Sequence, residues 1–388
     1  MVKSLISAAL GKQEIEKGQA PPQNNAVKEV INPADEELAK IAEQLKVKIK
    51  IFGCGGGGSN TINRCVEEGI TGAEMYALNT DAKHLLTIKV ANKILIGKRL
   101  TRGLGAGAKP EIGEEAAKEN EEDIKRAVEN ADIVFVTAGM GGGTGTGSAH
   151  YVAKMAKSAG ALVMGVVTIP FSAEGSVRKE QAMAGIEKLR KVCDTTIVIS
   201  NDKLLELVPK MPLDAAFKVA DEVLMTAIKG ITEIVTKPGL VNIDYADLQT
   251  VMKDGGVAMI GLGESDSVTD RVTEAVNEAL TSPLLGLNDA DFRNAQGALV
   301  RVVGGPNMTV TEAQKAAEIV GSKINKRARM IWGCTVDPTM ESGIKVMLII
   351  TGVNSASLIG QSPASAKLFE TKIKKSLDND DVGIDNID

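Results

Sequence analysis

Aromatic residues are scarce in this chain, at 3% of 388 residues, with one Trp and two His. Its cores must therefore be built from Ala, Val, Ile, Leu and Met, which suits layers of helix on sheet. With only His84 and His150, a His-based metal site or a Ser-His-Asp triad has almost nothing to draw on. Four cysteines (Cys54, Cys65, Cys193 and Cys334) are widely spaced and form no CxxC pair. They read as reduced thiols and not as a disulfide framework or a zinc site. No apolar run approaches the ~18 residues of a membrane span. The longest, Gly160–Phe171 and Ile344–Val353, read as buried strands, so direct membrane insertion is not expected. A long basic stripe is also missing, and the net charge is −5, which argues against nucleic acid as a partner. No secretory leader is recognisable, and a cytoplasmic location is expected.

Glycine is plentiful, with 40 residues, and hydrophobic residues make up 44% of the chain, enough for packed cores. Residues 1–46 begin polar, with a short amphipathic start at Leu5–Leu10 and a helix expected over Ala34–Leu45. From Val47 strands and helices alternate. Val47–Phe52, Glu74–Leu78, Lys93–Ile96, Ile133–Thr137, Ala161–Ile169 and Thr195–Ser200 read as strands. Asn60–Glu68, Ile112–Glu129, Ser148–Ala159 and Arg178–Lys191 read as helices. This rhythm predicts an α/β unit over residues 47–212, with a mostly parallel sheet covered on both faces. Leu213–Thr236 reads as one long helix, so a connector over residues 213–237 is expected. A second, α+β unit follows over residues 238–353, then an acidic tail over residues 354–388.

Two glycine strings each join a strand to a helix. Gly53-Cys-Gly-Gly-Gly-Gly58 fits GxGxxG, a weak sign of a dinucleotide site that a tight turn without ligand would also satisfy. Gly141-Gly-Gly-Thr-Gly-Thr-Gly147 is more specific. Its backbone amides can wrap phosphate oxygens, and the Thr144 and Thr146 hydroxyls can donate to them. Two such loops at one edge of a parallel sheet predict a polyphosphate held between them. GxxxxGK[ST] is absent, so this is not a P-loop enzyme. A nicotinamide-dependent Rossmann enzyme has only GxGxxG in its favour and lacks a catalytic His/Lys arrangement.

The second string resembles the signature of the tubulin/FtsZ superfamily. Asn79-Thr-Asp81, Arg102-Gly-Leu-Gly-Ala-Gly107, Glu174-Gly-Ser-Val-Arg178 and Asn242-Ile-Asp-Tyr-Ala-Asp247 resemble FtsZ segments in FtsZ order, over about residues 47–353. The N-terminal extension is similar to archaeal members. The resemblance implies the tubulin/FtsZ fold, a GTPase, and GTP or GDP as ligand with Mg²⁺ bound through the phosphates. It places nucleotide contacts at Gly55, Gly56, Gly57, Gly58, Ser59 and Asn60, at Asn79 and Asp81, and at Gly105, Ala106 and Gly107. It adds Gly141, Gly142, Gly143, Thr144, Gly145, Thr146 and Gly147 for the phosphates.

Glu174 and Arg178 match the pair near ribose and base, Phe217 the residue stacking on the base, and Asp221 the base reader. Asn201 is a further candidate. Read without the resemblance, Glu174 and Arg178 are an ordinary i,i+4 ion pair, Phe217 packs in the core, and Asn242, Asp244 and Asp247 begin a helix, with Asn242 as its N-cap. With it, Asn242, Asp244 and Asp247 become catalytic residues that reach the nucleotide of the next subunit. The implied function is a head-to-tail homopolymer that hydrolyses GTP and forms the mid-cell division ring, or a tubulin-like filament controlling cell shape. The tail Asp378–Asp388, with Val382, Ile384 and Ile387 among acids, suggests docking of a membrane-anchor protein such as SepF.

Overall fold

The computed structural model of the chain describes residues 46–207, 212–237, 239–241, 243–267 and 269–353. The helix expected at Ala34–Leu45, the Leu5–Leu10 segment, the acidic tail and Asn242 lie outside the described residues.

Six parallel strands make the first unit: β1 (Ile49–Cys54), β2 (Ala73–Asn79), β3 (Asn92–Leu95), β4 (Ile133–Gly139), β5 (Leu162–Ile169) and β6 (Thr195–Ser200). β1 and β5 are buried along their whole length, as a parallel sheet with helices on both faces requires. β4 shows the division of labour. Val134 and Val136 enter the core on one face, and Ile133 and Phe135 enter the core on the other. That is the period of two expected of a strand.

The strands of the second unit extend the same sheet. β7 (Gly256–Ser265) pairs in parallel with β6 from Thr195↔Gly256 to Ile197↔Ala258. β8 (Gly297–Gly304), β9 (Arg329–Val336) and β10 (Ile344–Thr351) complete a ten-stranded sheet in the order β3-β2-β1-β4-β5-β6-β7-β10-β8-β9. Only β10 runs antiparallel to its neighbours β7 and β8.

Leu213–Thr236 is a single helix, with Val223, Ala227, Ile231 and Ile234 buried against the sheet. Two buried acids on it find cations on both units. Glu222 lies 3.6 Å from Arg64, and Glu233 sits between Lys237, at 2.7 Å, and Arg301 of β8. Buried carboxylates left unpaired would be strongly destabilising, so these pairs fix the helix against each half of the sheet.

Several boundaries differ from the sequence reading. The helices expected from Asn60 and Ser148 begin at Gly55 and Thr144, inside the glycine strings themselves. Glycine is a poor helix former in isolation, but here neighbouring backbone holds it in place. The helix expected over Ile112–Glu129 is two, Pro110–Glu119 and Glu121–Val128. Asn120 divides them: its side chain accepts from Gly97 N–H at 2.9 Å and donates to Asp123. Short helices at Lys98–Thr101, Asn201–Leu207 and Asp289–Asn294 had no periodic signal long enough to read.

Candidate nucleotide site

The two glycine strings leave the C-terminal ends of neighbouring strands, since β1 pairs β4 up to Cys54↔Ala138. They interlock. Gly55 has φ +70°, and a Cβ there would lie 2.6 Å from Gly145 N. At Gly58 it would lie 2.3 Å from Thr137 O, and at Gly143 2.8 Å from Lys109 N. At Gly147 it would lie 2.0 Å from Pro110 O. These glycines let one backbone press on another. At Gly56 and Gly142 an added Cβ meets nothing within 4 Å. The string that reads uniformly as a ligand cradle is therefore two sets of glycines, one for packing and one facing open space.

Hydroxyl groups in the second string are largely engaged within the protein. Thr146 Oγ1 accepts from Gly141 N–H at 2.8 Å, which ties the loop to its own helix. Thr144 Oγ1 is 2.6 Å from Thr80 Oγ1. Ser59 is fully buried. The groups left to meet an anion are mainly the backbone amides at the N-termini of helices Gly55–Glu67 and Thr144–Ser158. The third glycine segment closes against the same region. Ala106 Cβ is 2.9 Å from where a Gly143 Cβ would stand. Gly105 has φ +92°, a backbone that only glycine adopts at low cost. Its N–H donates to Thr80 O at 3.2 Å, and Ala82 N–H donates to Gly103 O at 3.0 Å. Asp81 caps helix Ala82–Thr87 by accepting from His84 N–H at 3.0 Å.

Beside these loops lies a cavity of about 370 Å³. It brings together Gly56, Gly57, Asn60, Glu174, Arg178, Asn201, Phe217 and Asp221. Phe217 is 40% exposed, and its ring meets the buried Phe171 edge to face at 5.0 Å between centroids. A ring in edge-to-face contact with a single aromatic neighbour keeps a face for a planar ligand. Asn201 is buried, and its Oδ1 has no hydrogen-bond partner among the described residues. Burial pushes the Asp221 carboxyl up to about 7, against opposing pulls from Arg64 and from the Thr61 hydroxyl 3.4 Å away. An orphaned buried acceptor and a desolvated carboxylate lining one cavity fit a base that offers donors, as guanine does. Arg178 and Glu174 are paired at 2.5 Å at its rim.

Asp244 and Asp247 are elsewhere. Asp244, not Asn242, is the N-cap of helix Tyr245–Met252, accepting from Asp247 N–H at 2.7 Å. Buried Ile243 and Leu248 anchor the segment, and both carboxylates are exposed. Tyr245 Oη donates at 3.2 Å to the carbonyl of Asp132, the residue that precedes β4. The Gly141–Gly147 string follows the other end of β4. Seven residues of strand span ~20 Å, so the acids and the glycine loops stand on opposite edges of the sheet.

A family model described as "Tubulin/FtsZ family, GTPase domain" matches residues 48–209, and one described as "FtsZ family, C-terminal domain" matches residues 256–354. The protein named "Cell division protein FtsZ 1" of Archaeoglobus fulgidus is 53% identical over 93% of this chain and 95% of its own length. That of Methanocaldococcus jannaschii is 54% identical over 84% of this chain and 88% of its own. The chain belongs to the FtsZ family. A solved FtsZ dimer from M. jannaschii superposes with a TM-score of 0.79, at 53% identity, covering 84% of this FtsZ chain and 94% of that one. A GDP-bound CetZ protein of Haloferax volcanii reaches 0.72 at 22% identity, over 85% of this chain and all of that one, and shares the fold. Among the described residues of this FtsZ chain, no helix is long and apolar enough to cross a membrane.

Sequence reading missed Gly139, Met140, Thr168, Pro170 and Leu224, which also line the cavity. Gly139 and Thr168 stand at the C-terminal ends of β4 and β5, where ligands of parallel sheets collect, and that rule alone could have flagged them. Asp221 yields a pH prediction. Below about pH 7 it is protonated, and one of its two acceptor oxygens becomes a donor. GTP affinity should fall by up to ~10-fold per pH unit as pH drops from 8 to 6. Asp221→Asn should lose that slope in calorimetric titrations. Subtracting the two profiles removes the titration of the phosphates themselves, and equal slopes would sink the assignment of Asp221 to the base.

Proposed function

We propose that this FtsZ-family chain binds GTP between its glycine loops and hydrolyses it only when polymerised head to tail, as the filament of a division ring. The observation that carries this reading is the placement of Asp244 and Asp247 on the sheet edge opposite the loops. They cannot serve the nucleotide of their own subunit. A second copy stacked edge to edge would bring its acids over that nucleotide.

Loop amides hold the phosphates, Phe217 stacks on guanine, and Asp221 with Asn201 reads its donors. In the neighbouring subunit Asp244 and Asp247 each keep an oxygen outside their mutual capping bonds. Those oxygens orient the attacking water and take its proton as it adds to the γ-phosphorus, while the bond to the β–γ bridging oxygen breaks and GDP leaves. Among the described residues no cluster of His, Cys and acids forms a cation cage. Mg²⁺ would be held through the phosphate oxygens, where it offsets their charge. The acidic tail segment Asp378–Asp388 would tether the filament through an anchor protein such as SepF.

GTPase rate against protein concentration tests the reading. Turnover per subunit should rise steeply above a threshold, with GTP-dependent pelleting at the same threshold. A rate per subunit independent of concentration would overturn it.

A further inference from the structure

Asn60 follows the first glycine string, in the second turn of helix Gly55–Glu67, and it lines the nucleotide cavity. An amide has two faces, a donor and an acceptor, and only the donor suits an anionic phosphate. A chain of hydrogen bonds from a neighbouring turn decides which face is offered. It begins at Asp81 N–H, a backbone donor whose role cannot be exchanged, which donates to Asn79 Oδ1 at 3.2 Å. That commits the Asn79 amide and turns its Nδ2 toward His84 Nδ1, 3.1 Å away. A donor there requires a lone pair on Nδ1, so the ring proton sits on Nε2. His84 Nε2 is 3.1 Å from Asn60 Oδ1 and donates to it. With its oxygen so engaged, Asn60 has its Nδ2 donor left for the cavity.

We propose that His84, through this relay from Asp81 and Asn79, is a positioning residue for nucleotide binding that holds the Asn60 amide with its donor toward the phosphates. The proposal rests on the polyphosphate reading of the site but not on the identity of the base. Asn79 is buried and Asp81 N–H is fixed by the turn, so the relay has a rigid end. Asn60 is exposed, and without His84 its amide is free to rotate and point Oδ1 at the phosphates.

A double-mutant cycle on the nucleotide-stripped chain, read by calorimetry with GDP, tests this. His84→Phe keeps a ring and removes both bonds, and should weaken binding roughly fivefold, the scale of one hydrogen bond. His84→Gln can accept from Asn79 and donate to Asn60, and should bind within about twofold of the parent. Asn60→Ala should cost about as much as His84→Phe, and the double variant no more than Asn60→Ala alone. Additive losses, or His84→Gln binding as weakly as His84→Phe, would overturn the proposal. Asn60→Asp can still accept from His84 but offers no donor. GDP affinity unchanged in that variant would overturn the proposal by itself, so the test stands even if His84→Phe fails to fold. A parent chain that takes ADP and not GDP would refute the guanine reading only, and the cycle would then be read with ADP. Binding of neither would refute both.

Discussion

Asp247→Ala is expected to bind GTP with the affinity of the parent chain and to lose turnover by 100-fold or more, the usual scale for removing a group that activates the attacking water. Its carboxylate is exposed and lies across the sheet from the cavity, so nothing in the binding site changes. The stronger form of the experiment is a mixture. Gly56→Leu should block the phosphate end of the cavity without straining the fold, because a Cβ at Gly56 meets no atom within 4 Å. Neither variant alone should turn over GTP. Mixed in equal amounts they should recover activity, because a Gly56→Leu subunit still presents Asp244 and Asp247 to the nucleotide held by an Asp247→Ala neighbour. A mixture as inactive as its components would refute catalysis across a subunit contact. Helix Tyr245–Met252 would lose part of its capping box in Asp247→Ala, a cost of ~1 kcal/mol, small beside the stability of a domain.

Gly147→Ala is expected to destabilise the nucleotide-free chain by about 3 kcal/mol or more, seen as a lowered denaturant midpoint. Helix propensity alone predicts the opposite sign. Gly147 lies inside helix Thr144–Ser158, where Ala is favoured over Gly by ~1 kcal/mol. The added methyl, however, would sit 2.0 Å from Pro110 O and 2.6 Å from Glu114 N, and both are backbone atoms that cannot swing aside. Gly142→Ala, a few residues earlier in the same string, meets open space and should stay within ~0.5 kcal/mol of the parent. Equal midpoints for the two variants would show that the string is a ligand cradle throughout, with no packing role.

The residues themselves determined a good deal. Strand and helix periods are local, so β6 at Thr195–Ser200 and the connecting helix at Leu213–Thr236 were legible to the residue. The motifs in order were enough to place the chain beside its family and to name Phe217, Asn201 and Asp221, which the structure brings to one cavity. Tertiary structure decided matters that depend on residues far apart in the chain. It set the parallel pairing of Thr195 with Gly256, which carries one sheet through both units. It engaged the Thr146 hydroxyl in the loop itself and divided the glycines into those pressed on backbone and those facing open space. It placed Asp244 and Asp247 at the far edge of β4 and linked His84 to Asn60. A pattern along the chain records what each residue prefers next to its neighbours. Which backbone atom stands within 3 Å of a missing Cβ, or which sheet edge a carboxylate occupies, is decided only when the layers close on one another.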